Sequence, residues 1–224
     1  MKREMELLYF KFYEIQRLNW VPSHSKGYGA CGATLEFLLH KKADRAVLAD
    51  FNGIELKTKI VHSEPYVSLF SMALDDKPMQ MKRLYELCGY KSKDNPKYKV
   101  FYLKINGKEK VVRPFFIYQL KVDYENQCVH LLIFIRYSMK IYQDMAWSFQ
   151  GLKQRIVAKL SYLAFVSVAR YYDVSESKEY FKYLSITFYQ LISFEKFLAL
   201  IEDGTIQVNI KIGYHKSGPK LGTM

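Results

Sequence analysis

The sequence predicts a mixed α/β fold, a β-sheet flanked by helices with a smaller second lobe beside it. Three observations predict it. An amphipathic stripe opens the chain, Asn-Gly pairs punctuate β-like runs, and a strand-rich basic middle lies between further helical stripes.

The elements follow in chain order. Leu8, Phe12 and Ile15 recur at helical spacing and predict a helix over 3–19. A loop from Val21 to Gly29 leads to a short helix around 34–40. Runs at 46–50 and 54–59 read as strands joined by Asn52-Gly53, a pair suited to the positive φ angles of a type I′ hairpin turn. Further strands are expected at 98–105, 111–121 and 127–136, with Asn106-Gly107 as a second turn. Leu152, Ile156, Leu160 and Leu163 share one stripe and predict a long helix over 148–172. A strand near 180–190, a short helix after Ser193, a strand at 205–212 and a loop from Ser217 complete the reading. Residues 1–224 are expected to form one domain in two lobes. The first comprises 1–95 and 145–175, and the second, basic one comprises 96–140 and 176–224.

Composition narrows the function classes. Half of the 224 residues are hydrophobic and a quarter are charged, which excludes a disordered or fibrous chain. The apolar runs at 131–135 and 163–169 are too short to span a bilayer and are bounded or broken by His130, Arg136, Ser167 and Arg170. The opening MKREMELLYF has no apolar signal core. Cys31, Cys88 and Cys128 are odd in number and widely spaced, and the five histidines form no zinc pattern. A cytoplasmic protein without membrane partners is expected. The net charge is +12, and residues 82–121 hold eleven Lys or Arg against three acids. Clustered cations of this kind suit a phosphate backbone, from which they release counterions.

The segment Asp50-Phe-Asn-Gly-Ile-Glu55-Leu-Lys57 carries the chemistry. If Asn52-Gly53 is a two-residue turn, Phe51 opposes Ile54 and Asp50 opposes Glu55. Opposed residues project to one face, and Lys57 shares it because side chains alternate along a strand. Two carboxylates held that close repel unless a cation lies between them. Oxygen ligands beside a lysine suit Mg²⁺, with Mn²⁺ as a substitute. Asp50, Glu55 and the Leu56 carbonyl are the candidate ligands. Lys57 is placed to position or deprotonate a water attacking a phosphodiester. The bland alternative is a solvated hairpin whose acids and lysine pair at the surface.

The residues around this segment carry a resemblance. Gly29-Ala-Cys-Gly32-Ala-Thr-Leu35-Glu36, then Ala49-Asp50, then Gly53-Ile-Glu55-Leu-Lys57-Thr58 resembles the signature block of the MvaI/BcnI restriction endonucleases. That block is similar in turn to the MutH branch of the PD-(D/E)xK nucleases. Trp147 ahead of a helix containing Lys159-Leu160, and Phe197 through Ile206, resemble later family segments. The resemblance implies a PD-(D/E)xK core and a recognition lobe that together grip a short pseudo-palindromic site in double-stranded DNA. It implies a catalytic trio of Asp50, Glu55 and Lys57, with Glu36 supporting them from a facing helix. The glycines at 29 and 32 would allow close backbone approach. Chains of that family continue past the Gly-rich tail into a His-Gly segment, whereas this sequence ends at Thr223-Met224, a departure expected to bear on target recognition.

The expected activity is therefore a type II-like restriction endonuclease that leaves 5′-phosphate and 3′-hydroxyl ends. The alternatives are a MutH-like nicking endonuclease of mismatch repair and a catalytically silent DNA-binding protein. Lys26, Lys59, Tyr214, His215 and Lys216 are candidate DNA contacts. A monomer is expected, with a cognate DNA methyltransferase as partner.

Overall fold

A computed structural model describes residues 1–40, 49–63, 66–75, 77–138, 140–215 and 218–220. From the N-terminus the elements are α1 (Lys2–Arg17), β1 (Val21–Pro22), α2 (Ala30–Leu38), β2 (Glu55–Ile60), α3 (Lys77–Cys88), β3 (Tyr90–Lys91) and β4 (Lys99–Ile105). Then come β5 (Val111–Val112), β6 (Phe116–Asp123), β7 (Cys128–Ile135), β8 (Ile141–Tyr142), β9 (Ala146–Ser148) and α4 (Phe149–Leu160). The chain finishes with β10 (Tyr162–Asp173), β11 (Lys178–Gln190), α5 (Phe194–Glu202), β12 (Val208–His215) and β13 (Gly218–Lys220). The mixed α/β class is as the sequence predicts.

Two compact units divide the chain, one of Met1–Leu69 with Ile156–Leu191 and the other of Phe70–Arg155 with Ile192–Met224. The divisions between these units fall at 69/70, 155/156 and 191/192. The reason lies in strand pairing. Residues 178–190 form β11, which pairs antiparallel along the whole of β10 and so cannot be parted from it.

The first unit is built on a mixed sheet in the order β1-β11-β10-β2, with β10 and β2 parallel. Helix α1 turns Leu8, Phe12 and Ile15 inward, and α2 contributes Ala30, Cys31, Leu35 and Leu39. They pack against Ile54, Leu56 of β2, Ala164, Val166 and Val168 of β10, and Phe181 and Tyr183 of β11. Removing each large apolar side chain from water stabilises the unit by roughly 1.5–3 kcal/mol.

Within this unit the long helix expected over 148–172 is corrected. Helix α4 ends at Leu160, and 162–173 is a strand. Leu152, Ile156 and Leu160 are buried along the helix, but from Ala164 burial alternates with period two through Val166 and Val168. Aromatic and β-branched residues dominate 162–172, and that composition with a two-residue period belongs to a strand. Leu163 continues the helical stripe by coincidence of spacing.

The second unit holds two sheets, one in the order β13-β12-β4-β3 and one in the order β5-β6-β7-β8 with β9 paired to β7. Phe101, Leu103, Tyr118, Leu120, Leu131, Ile133, Ile210 and Ile212 are all nearly inaccessible to solvent. The strand expected over 111–121 is broken between β5 and β6 at Arg113-Pro114-Phe115, because proline has no N–H to give a ladder. Asn106-Gly107 is not a hairpin turn. Its Oδ1 accepts from the Lys108 and Glu109 amides, the Gly107 amide donates to Ile201 O, and β4 pairs with β12 instead. A Cβ at Gly107 would lie 2.7 Å from Ile201 O, so this crossing admits only glycine. Helix α3, for which the sequence offered no expectation, supplies buried Met81 and Leu84. Residues 218–220 pair with β12 where a loop was expected.

Candidate active site

The turn at Asn52-Gly53 forms as its dipeptide demands. Asn52 has φ 44° and Gly53 φ 87°, and Phe51 and Ile54 exchange both backbone hydrogen bonds at 2.9 and 2.8 Å. These are the features of a type I′ hairpin turn. It is a single antiparallel bridge rather than a pair of strands. Asp50 lies outside any strand, and residues 46–48 of the expected first strand lie outside the described residues. Two contacts brace the turn from α1. Asn52 Nδ2 donates to Glu4 Oε2 at 2.6 Å, and the Met1 methyl stands 3.3 Å from where a Gly53 Cβ would be.

The carboxylates are held individually. Asp50 Oδ2 accepts from the Leu56 amide at 3.0 Å, which ties it back across the turn onto β2. Glu55 opens β2 and is only 4% exposed, one of two buried polar residues among those described. Its Oε1 accepts from Lys57 Nζ at 2.7 Å. Its Oε2 has Lys159 Nζ at 3.1 Å, yet no donor is aligned on that buried oxygen as a hydrogen bond. Ile54 and Leu56 take the opposite face into the core, fixing which way Glu55 and Lys57 project.

Lys159 is the residue the sequence reading missed as a member of the site. Parallel pairing sets Leu163, near the start of β10, beside Glu55 at the start of β2. The last turn of α4 immediately precedes β10, so its Lys159 arrives at Glu55. Reading 162–172 as helix hid that register; reading it as a strand parallel to β2 exposes it.

Helix α2 backs the strand. Cys31 Sγ and Thr58 Oγ1 share a 3.1 Å hydrogen bond. The Tyr183 hydroxyl donates to Cys31 O at 2.9 Å, and burial keeps that phenol above the ordinary tyrosine range, a donor at any working pH. Thr34 is buried, donating to Ala30 O and accepting from the His24 amide. At Gly32 an added Cβ would stand 3.4 Å from Thr58 Oγ1, so the helix passes close to β2 there. Partly buried Glu36 lies one helical turn further along the same α2 face. At Gly29 an added Cβ would meet nothing within 4 Å, so the close approach expected there does not exist.

The predicted phosphate contacts are dispersed. Lys59 lies two residues beyond Lys57 on β2 and is half-buried, and Lys26 is exposed in the loop before α2. Tyr214 and His215 belong to β12 of the other unit, while their side chains, and Lys216 altogether, lie outside the described residues. No helix among the described residues is long and apolar enough to cross a membrane.

The donor set decides what cation would fit. Among the described residues no cluster of three or more His, Cys, Asp or Glu side chains is assembled. Two carboxylates, one with a buried oxygen lacking an aligned donor, match an ion that takes one or two carboxylates and completes its shell with water and substrate oxygens.

Among solved structures, one titled "Restriction endonuclease MvaI-cognate DNA substrate complex" is 26% identical, covering all of this chain and 90% of its own at a TM-score of 0.86. Restriction endonuclease MvaI in the absence of DNA is likewise 26% identical over all of this chain and 89% of its own, at a TM-score of 0.59. Among curated protein sequences none matches. The model of the MvaI/BcnI restriction endonuclease family matches residues 10–224, nearly the whole chain. The chain belongs to the MvaI/BcnI restriction endonuclease family and is a site-specific deoxyribonuclease.

Proposed function

We propose that this restriction endonuclease cleaves both strands of a short double-stranded DNA site using Mg²⁺, for which Mn²⁺ substitutes, at Asp50, Glu55 and Lys57. One observation carries the proposal: Glu55 is buried between two lysines, directly after a type I′ turn that brings Asp50 back onto the same strand. A buried carboxylate costs several kcal/mol unless cations face it, and a chain keeps such a group where it has work to do.

Each residue then has a role. Asp50 and Glu55 would hold the ion, with the Leu56 carbonyl as a further oxygen ligand. A divalent cation bound there lowers the pKa of a water and offsets charge on the phosphate oxygens. Lys57, within 2.7 Å of Glu55, orients the attacking water and stabilises negative charge developing at phosphorus. Attack in line with the departing 3′-oxygen breaks the P–O3′ bond and gives 5′-phosphate and 3′-hydroxyl ends. Glu36 supports this group from α2. Lys26, Lys59, Tyr214, His215 and Lys216 are proposed to contact DNA. The unit rich in Lys and Arg over 82–121 is proposed as the recognition lobe, and the unit holding Glu55 as the catalytic lobe.

The setting is proposed to be the cytoplasm, where the three free, buried cysteines stay reduced. The chain is proposed to act as a monomer. A nuclease of this kind would cut its own genome, so a methyltransferase of matching specificity is its proposed partner.

Incubation with a large plasmid, in Mg²⁺ or in EDTA, tests the reading when the ends are sequenced. Discrete Mg²⁺-dependent fragments with 5′-phosphates at one recurring site are expected. Nicked circles that never linearise would instead favour the MutH-like activity, and binding without any cleavage would leave a silent DNA-binding protein.

A further inference from the structure

The Glu55 carboxylate is claimed by two ammonium groups, one on each oxygen, at 2.7 Å from Lys57 and 3.1 Å from Lys159. All three side chains are largely withdrawn from solvent, with exposures of 5% for Glu55, 19% for Lys57 and 14% for Lys159. Glu55 thus has a cation beside each of its oxygens before any metal ion binds. A divalent cation bonded to a carboxylate oxygen lies about 2.1 Å from it. An ammonium 3 Å from the same oxygen occupies the space and the charge the ion requires. The two lysines are not equivalent. Lys57 makes an aligned hydrogen bond, whereas Oε2 has no aligned donor although Lys159 stands beside it. Oε2 is thus the oxygen more easily surrendered.

Resting on the metal-dependent reading above, the geometry points to Lys159 as a positioning residue that competes with the divalent cation for Glu55 Oε2. In the unloaded protein it holds the carboxylate in place and balances its charge. On loading, it gives up Oε2 while Lys57 keeps Oε1. Its place at the last turn of α4, on the link into β10, sets the ammonium opposite Glu55 without drawing on the catalytic turn itself.

The test is calorimetric titration of the DNA-free, full-length chain with Mn²⁺ at low and at high KCl. Lys159→Met and Lys159→Gln are expected to bind Mn²⁺ roughly tenfold tighter than the parent, since a close opposing charge is removed. Lys159→Arg, which restores a cation, is expected to return near the parent affinity. The gain should persist at high salt, because contact at 3.1 Å in a nearly buried site is poorly screened. A merely structural Lys159 would give weaker Mn²⁺ binding in the neutral variants, as the carboxylate lost its support. Equal or weaker affinity in both neutral variants, or a gain that vanishes at high salt, overturns the inference. Asp50→Asn separates the two readings. If it loses Mn²⁺ while parent and Lys159→Met bind alike, the metal site stands and the competition fails. If no chain binds Mn²⁺, both fail.

Discussion

Lys57 stands at the point where geometry and chemistry make the narrowest claim. Its ammonium lies 2.7 Å from Glu55, projects from the same strand face and retains 19% exposure. Replacement by alanine leaves the turn, the Asp50–Leu56 tie and the core contacts of Leu56 in place. Lys57→Ala is therefore expected to lower the cleavage rate by about 10²–10³-fold, the usual effect of deleting one charge-stabilising donor. DNA affinity measured by filter binding in Ca²⁺ should stay within about threefold, since one phosphate contact contributes little of the total. Cleavage at the parental rate would remove Lys57 from the mechanism. At this scale the sequence was readable because Asp50, Glu55 and Lys57 lie within eight residues, where a turn rule and strand alternation fix relative directions. Lys159 was not, since it lies about a hundred residues away and only strand register joins it to Glu55.

The turn at Asn52-Gly53 is the element on which that arrangement depends. Gly53 has φ 87°, a region costly to a β-branched side chain but tolerated by asparagine. Gly53→Val is expected to destabilise the chain by about 1–2 kcal/mol and to cut activity more than stability alone explains, because the tie of Asp50 to the Leu56 amide beside Glu55 is lost. Gly53→Asn should retain both properties to within a few-fold. Thermal melts read beside cleavage rates check this, and a fully active Gly53→Val would show that the turn does not set the carboxylates. Local chemistry made this element legible: two residues dictate a turn type. Elements set by long-range pairing were less so. The helical stripe through Leu152, Ile156 and Leu160 runs without a break into Leu163, and only pairing with β2 and β11 makes 162–173 a strand. Likewise Asn106-Gly107 has a hairpin composition, but β4 takes β12 as its neighbour, and the glycine serves a crossing over Ile201 instead.

For the molecule as a whole, charge is the property that sequence alone fixes, since no fold can alter a net +12. Distribution matters more than the sum. The eleven Lys and Arg in 82–121 fall within the unit that does not contain Glu55, and several of them, including Lys91, Lys93, Lys97, Lys99 and Lys104, are exposed. The acids in the same stretch number three, so positive charge dominates it. Clustered cations take phosphates as partners and release condensed counterions when they do so. Binding to duplex DNA in Ca²⁺, where cleavage is suppressed, is therefore expected to weaken steeply with salt. With about six phosphates engaged, affinity should fall by roughly 10³-fold between 50 and 200 mM KCl. Neutralising Lys93 and Lys97 together should reduce the slope of log affinity against log salt by about two if both lysines meet phosphates, while the cut site stays unchanged, because phosphate contacts carry no base information. A flat salt response would mean that the basic unit faces solvent rather than the DNA backbone, and recognition would then have to rest on base contacts alone.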